Sequence, residues 1–207
     1  MLDHKGFDLW ADGYDKTVGL SEESNTYPFA GYKNVLGTIY SGVRAANARR
    51  VLDIGCGTAV LTSRLYADGL DVTAADFSDR MLEIAREKMP KAHLVRADIS
   101  QGFPAVLAEE KFDAILSTYA LHHLTDEQKA PFLLECLKHL NPGGAMWIGD
   151  VMRTTRKELD ALAESCGESW DADECYFAAE DWINRKDIDA SFAPQSVCAG
   201  VLTLKNI

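Results

Sequence analysis

A chain of 207 residues suits one domain with an extension rather than two full domains. Apolar residues make up 47% of it, enough for one sizeable core. The net charge of −11, with no basic run, argues against a phosphate-backbone partner, because affinity for nucleic acid rests on Lys and Arg at phosphates.

The first 45 residues differ in character from the rest of the chain. "YPFAGYKNVLGTIYSGVRAA" carries Phe29, Tyr32, Leu36, Ile39 or Tyr40, and Val43 at three-to-four spacing, which predicts an amphipathic helix. It precedes the first strand and so adds to the sheet core. Strand-like runs come next at Val51–Ile54, Val72–Asp76, His93–Arg96, Phe112–Ser117 and Ala145–Val151. Helical stretches separate them at Val60–Ala67, Asp79–Met89 and Asp126–Leu140. Strands alternating with helices predict right-handed βαβ units and a mainly parallel sheet. Thr125 and Gln128 form a capping-box pair at the start of the third helix. "NPGG" at 141 to 144 stops it, since Pro cannot continue a helix and Gly accepts a left-handed turn. A further helix, "RKELDALAESC", leads into the aromatic-rich "WDADECYFAAEDWI". "DASFAP" and "VCAGVLTLKN" then predict two closing strands and an antiparallel sheet edge.

Neither a membrane nor a metal is called for. No apolar run approaches the roughly 18 to 20 residues that span a bilayer. "MLDHKGFDLW" has no apolar centre of signal-peptide length. Cysteines 56, 136, 166, 175 and 198 are odd in number and contain no C-x-x-C, so no disulfide frame or zinc knuckle is expected. The expected home is a reducing cytoplasm.

"VLDIGCGTAV", residues 51 to 60, reads as a buried strand entering a glycine turn. Ligands of open α/β sheets bind beyond such strand ends. Gly55 and Gly57 let backbone approach a ligand, but Val60 stands where a dinucleotide fingerprint needs its third glycine. Asp53 just before the turn would repel pyrophosphate and suits a ligand with positive charge. Asp76 ends the second strand, where an acid can accept both hydroxyls of a ribose. Phe77 offers a flat face to a purine. Asp98 follows the third strand and can accept from an adenine amine. Three acids after three successive strands describe a pocket for a cationic adenosine derivative, such as S-adenosyl-L-methionine (AdoMet).

Five segments in order carry a resemblance: "VLDIGCGTAVLT", "VTAADFS", "VRADI", "FDAILSTYALHHL" and "LKHLNPGGAMWIGDV". They resemble the motifs of the class I AdoMet-dependent methyltransferases, over residues 50 to 152. The motif Trp10-Ala11-x-x-Tyr14-Asp15 resembles a narrower group of small bacterial methyltransferases. The resemblance implies a Rossmann-like, seven-stranded, mostly parallel sheet with an antiparallel last strand and helices on both faces. It implies a helical lid over residues 1–45 and a methyltransferase domain over 46–207, a single domain overall. It places Gly55, Cys56 and Gly57 under the methionine end of the cofactor, with Asp53 supporting that end. Asp76 takes the ribose hydroxyls, Phe77 packs on adenine, and Asp98 faces the adenine amine with Ile99 nearby. Ser117 lies beside the methionine moiety, and Tyr14 belongs to the lid.

The sulfonium activates the methyl, so the protein chiefly aligns the acceptor and excludes water. His122 and His123 fall on the substrate side and are the candidate proton acceptors. The loop Ser117-Thr118-Tyr119-Ala120 lacks the Asn/Asp-Pro-Pro-aromatic sequence of nucleic-acid amine methyltransferases of this fold. It also lacks the carboxylates of metal-dependent O-methyltransferases. That leaves a small-molecule or a protein acceptor, the small molecule being the expectation, with Tyr27, Tyr176, Phe177 and Trp182 as candidate walls. A non-catalytic binder of AdoMet or S-adenosylhomocysteine would share the same cofactor half and stays open as the alternative.

Overall fold

The structure is a computed structural model and describes residues 26–207. Five strands arise from apolar runs: β1 (Arg50–Ile54), β2 (Asp71–Asp76), β3 (His93–Arg96), β4 (Phe112–Thr118) and β5 (Leu140–Arg153). They pair in parallel; β1, β2 and β4 are largely buried on both faces, as parallel strands are, while β3 at the sheet edge is mostly exposed. A two-residue strand, β6 (Phe177–Ala178), pairs with the far end of β5. β7 (Asp189–Pro194) and β8 (Ala199–Lys205) close the sheet. The order is β3-β2-β1-β4-β5-β8-β7, seven strands in line with β6 off the path. The last strand, β8, is antiparallel to both β5 and β7. The strand order reverses between β1 and β4, which opens a crevice at their carboxyl ends.

The core falls into two clusters that track the alternation of the strands. Val51, Ala114 and Leu116 belong to one; Leu52, Ile54 and Ile115 belong to the other. Helices α1 (Tyr32–Ala45), α2 (Thr62–Ala67) and α3 (Asp79–Lys88) cover the first. Phe132, Leu133, Cys136 and Leu137 of α4 (Asp126–Lys138) fill the second. Helix α5 (Arg156–Cys166) adds Leu159 to the first cluster, and α6 (Glu180–Ile183) adds Trp182 to the second.

The local signals act as the sequence suggests. Thr125 accepts from the Gln128 amide and the Gln128 side chain accepts from the Thr125 amide, a closed capping box. The "NPGG" turn ends no helix directly. Helix α4 has already stopped at Lys138, and residues 141–144 form an outpocketing within β5. Gly143, at φ +80°, lets β5 leave the ladder after Leu140 and rejoin β4 at Ala145.

In α1 the buried positions are Val35, Leu36, Ile39 and Val43; Tyr40 instead points outward to hydrogen-bond Asp68. This helix packs on β5 and β8. The remaining part of the 1–45 lid expectation, with Tyr14 and the Trp10-to-Asp15 motif, lies outside the described residues. Among the described residues no helix is long and apolar enough to cross a membrane.

Candidate active site

A cavity of about 880 Å³ occupies the crevice at the strand ends. Its floor is the turn after β1. Gly55 and Gly57 have φ of +70° and +52°, the left-handed region that favours glycine. The amides of Gly55 and Cys56 both donate to the Ala75 carbonyl, which ties the turn to β2. The two glycines serve different ends. A Cβ on Gly55 would sit 2.3 Å from the Cβ of Ala120, so the loop after β4 packs directly on it. A Cβ on Gly57 would meet nothing within 4 Å, and Gly57 lines the cavity. Cys56 also lines it, but its buried thiol bonds the Gly57 carbonyl and burial pushes its ionisation well up, which makes it a poor nucleophile.

Asp53 is buried beside this turn. Thr62 donates to its Oδ2, while Oδ1 is buried without a hydrogen-bond partner. Burial, helped by the nearby charge of Asp76, raises its pKa to about 7 against the pull of Thr62. Asp76 is similarly raised by burial, though the amides of Gly57 (2.8 Å) and Ser78 (3.0 Å) donate to its two oxygens. A third amide, that of Phe77, also bonds the carboxylate, and of its roughly four acceptor sites one is left for a ligand. Asp98 is exposed and caps the short helical turn after β3, its Oδ1 accepting from the Ser100 amide (2.9 Å) and hydroxyl (2.7 Å). It nonetheless lines the cavity with Phe77 and Ile99.

Ser117 differs from expectation. Its side chain is fully buried and its hydroxyl donates to the Ile54 carbonyl at 2.8 Å, bracing β4 against β1. Strand alternation turns it away from the crevice, and Thr118 lines the cavity instead.

The opposite end of the cavity holds His122 and His123, in the short helical turn Leu121–His123 after β4. Each meets a carboxylate through Nδ1: His122 reaches Asp150 Oδ1 at 2.7 Å, and His123 reaches Glu174 Oε2 at 2.9 Å. The two rings lie 4.2 Å apart, edge to face. The Cys175 amide donates to the His122 carbonyl, which holds the Glu174 segment against the histidines. Burial lowers the His122 pKa, but Asp150 and then Glu174 outweigh it and the net shift is upward. Glu174 is lowered: burial opposes, and the hydrogen bond and charge of His123 prevail. His122, His123 and Glu174 offer ligand atoms within 4.8 Å of one another, a group able to hold a metal ion.

Of the expected aromatic walls, Tyr27 and Tyr176 line the cavity and bond to each other through their hydroxyls. Trp170 stacks on Tyr27 at 5.1 Å. Phe177 and Trp182 do not reach it, because both are buried in the second core cluster. Asp150, inside the fifth of the resembling segments, and Glu174, inside the aromatic stretch, are site residues that the sequence alone does not single out.

The matches to known proteins agree with this architecture. A family model described as a methyltransferase domain matches residues 51–144. An uncharacterized methyltransferase of Geobacillus sp. (strain WCH70) is 34% identical over 163 residues, 78% of this chain and 73% of its own. The chain belongs to the class I AdoMet-dependent methyltransferase family. A second relative, from Geobacillus kaustophilus (strain HTA426), is 31% identical and extends the match to 95% of this chain and 93% of that one. The fold is that of the solved DhpI–SAH complex, with a TM-score of 0.69 at 19% identity, over 98% of this chain and 94% of the other. The methyltransferase cofactor is S-adenosyl-L-methionine, and three features of the crevice fit it. A buried carboxylate oxygen of Asp53 lacks a partner, space lies open over Gly57, and Asp76 keeps acceptor capacity.

Proposed function

We propose that this methyltransferase acts on a small, neutral or cationic acceptor held at the histidine end of the cavity, by direct in-line transfer. One observation carries the acceptor class. The described lining includes Asp53, Asp76, Asp98, Asp171 and Glu174, but no Lys or Arg. A phosphate or carboxylate acceptor would find no fixed cation there, and like charges in a partly desolvated site repel strongly.

When bound, AdoMet supplies an electrophilic methyl that leaves its sulfur as the acceptor's nucleophile takes it. The chain's residues do the rest. Asp53 faces the cationic end, Gly55 and Gly57 let the backbone pass beneath it, and Cys56 packs the turn. Asp76 accepts the ribose hydroxyls. Phe77 and Ile99 flank the adenine, and Asp98 accepts from its amine through the oxygen that Ser100 leaves open. Tyr14, in the lid motif, is assigned to closing over the cofactor. Tyr27 and Tyr176 wall the acceptor pocket, and His122 and His123 stand where an acceptor proton must leave.

A screen with radiolabelled AdoMet tests this reading against pooled amines, alcohols, thiols and phosphorylated or carboxylated metabolites. Transfer to the neutral or amine pools is expected. Transfer confined to the anionic pools would overturn the acceptor class. Cofactor binding without transfer to any pool or to cell extract would favour a sensor.

A further inference from the structure

Two histidines stand at the acceptor end, and their partners distinguish them. His123 pairs with Glu174, a half-buried residue of the segment between α5 and β6. His122 pairs with Asp150, which belongs to β5 in the centre of the sheet and is fully buried. Asp150 Oδ1 accepts two bonds, from the His122 ring at 2.7 Å and from the Val151 amide at 2.8 Å. Its Oδ2 is buried with no hydrogen-bond partner. A buried carboxylate is tolerated when a cation or donors compensate it. The cation within reach of Asp150 is the imidazole that Asp150 itself holds.

We propose that Asp150 is the positioning residue that makes His122 the proton acceptor of the transfer, and that the acceptor atom therefore carries a proton when it binds. The resting histidine is neutral with its proton on Nδ1, donated to Asp150, so Nε2 presents a lone pair. The acceptor's lone pair forms the new bond to carbon while the carbon–sulfur bond breaks with its electrons on sulfur. The acceptor's proton passes to Nε2, and the imidazolium is held by Asp150. The cofactor is left as neutral S-adenosylhomocysteine plus a methylated acceptor, and His122 returns its proton to solvent. Hydroxyl, thiol and neutral primary or secondary amine acceptors fit; tertiary amines and thioethers, which have no proton to lose, do not. This rests on the reading of the cavity as a methyl-transfer site.

The charges around His122 come from several elements. Asp150 on β5 and Glu174 on the 167–176 segment favour its proton; Lys129 on α4 disfavours it. Lys129 is itself bonded to Asp126 and to the Cys175 carbonyl. His123 packs edge-on and Tyr176 tilts against the ring at 5.6 Å.

Imidazole nitrogen NMR on the full chain tests the proposal without knowing the acceptor. Between pH 5 and 9, His122 is expected as the Nδ1–H tautomer, titrating above the ordinary value of about 6.5. In Asp150→Asn its midpoint should fall by at least about one unit, and Asp150→Glu should restore part of the shift. An Nε2–H tautomer, or a midpoint that Asp150→Asn leaves in place, would overturn it. If Asp150→Asn does not fold, the parent protein gives a second reading: a downfield proton signal coupled to His122 Nδ1, held by the buried Asp150 carboxylate, is expected, and its absence contradicts the dyad. Zinc added with and without chelator checks the competing use of the cluster. Tight binding that claims His122 Nε2 would replace the dyad with a metal site. Affinity for S-adenosylhomocysteine, measured on the parent protein, reads the cofactor assignment separately.

Discussion

The two ends of the cavity are built by different means. The cofactor end is the more local in sequence: Asp76 is tied by Ser78 and Asp98 by Ser100, each two residues on, and Asp76 by the Gly57 amide across 19. The acceptor end is assembled across the chain: His122 meets Asp150 across 28 residues, His123 meets Glu174 across 51, and Tyr27 meets Tyr176 across 149. The first is a backbone device, whose glycines and strand-end acids can hold one kind of ligand. The second is a set of side-chain pairs on separate elements, each replaceable without disturbing the turn. Such a division lets one cofactor site serve different acceptors.

The two ends meet at a seam where Gly55 touches Ala120, and the largest effect is expected there. Gly55→Ala adds a methyl 2.3 Å from the Ala120 side chain at a residue with φ +70°. Left-handed strain of about 1–2 kcal/mol and overpacking of about 1–3 kcal/mol should together lower Tm by roughly 5–15 °C. Gly57→Ala carries only the strain, since its Cβ meets open space. Its loss should fall mainly on AdoMet affinity. Thermal melts with and without cofactor separate the two; equal melting losses would refute the distinct roles.

A smaller effect separates the acids. Asp76→Ala removes a buried acceptor of three backbone amides and of the proposed ribose hydroxyls. Hydrogen bonds to charged groups contribute about 1.5–3 kcal/mol, so AdoMet affinity should fall by about 10- to 150-fold. Asp98 is exposed, and Asp98→Ala should cost less than about tenfold. Equal losses in calorimetric titrations would show the ribose assignment to be wrong.

Legibility in the sequence divides along the same line. The alternating runs, the capping box and the acids at the ends of β2 and β3 are readable because each is marked by the pattern of the few residues around it. Asp150 is not, because it sits inside an apolar run whose periodicity marks only a buried strand. Glu174 is hidden in an aromatic stretch that reads as packing. Ser117 looks like a pocket residue from its position at the strand end; only the pairing of β4 with β1 reveals that its hydroxyl serves the Ile54 carbonyl. Phe177 and Trp182 look like pocket walls on composition, and burial in the second cluster decides otherwise.

If the crevice holds a cationic cofactor over Asp53, binding must change the proton count of that carboxyl. Asp53 has a pKa of about 7 in the folded chain, against about 3.9 when unfolded. Its ionisation therefore costs stability, absent below about pH 4 and complete above about pH 7. A cation beside its unpartnered oxygen favours the ionised form. Binding of AdoMet below pH 7 should then release a proton, and affinity should rise with pH from about 5 to 7, by up to about tenfold per unit, and level off above. Calorimetry in two buffers of different ionisation heat measures both. Release of close to one proton at pH 6 is the expected result; AdoMet binding that releases none and keeps the same affinity from pH 5 to 8 would contradict a cation held at Asp53.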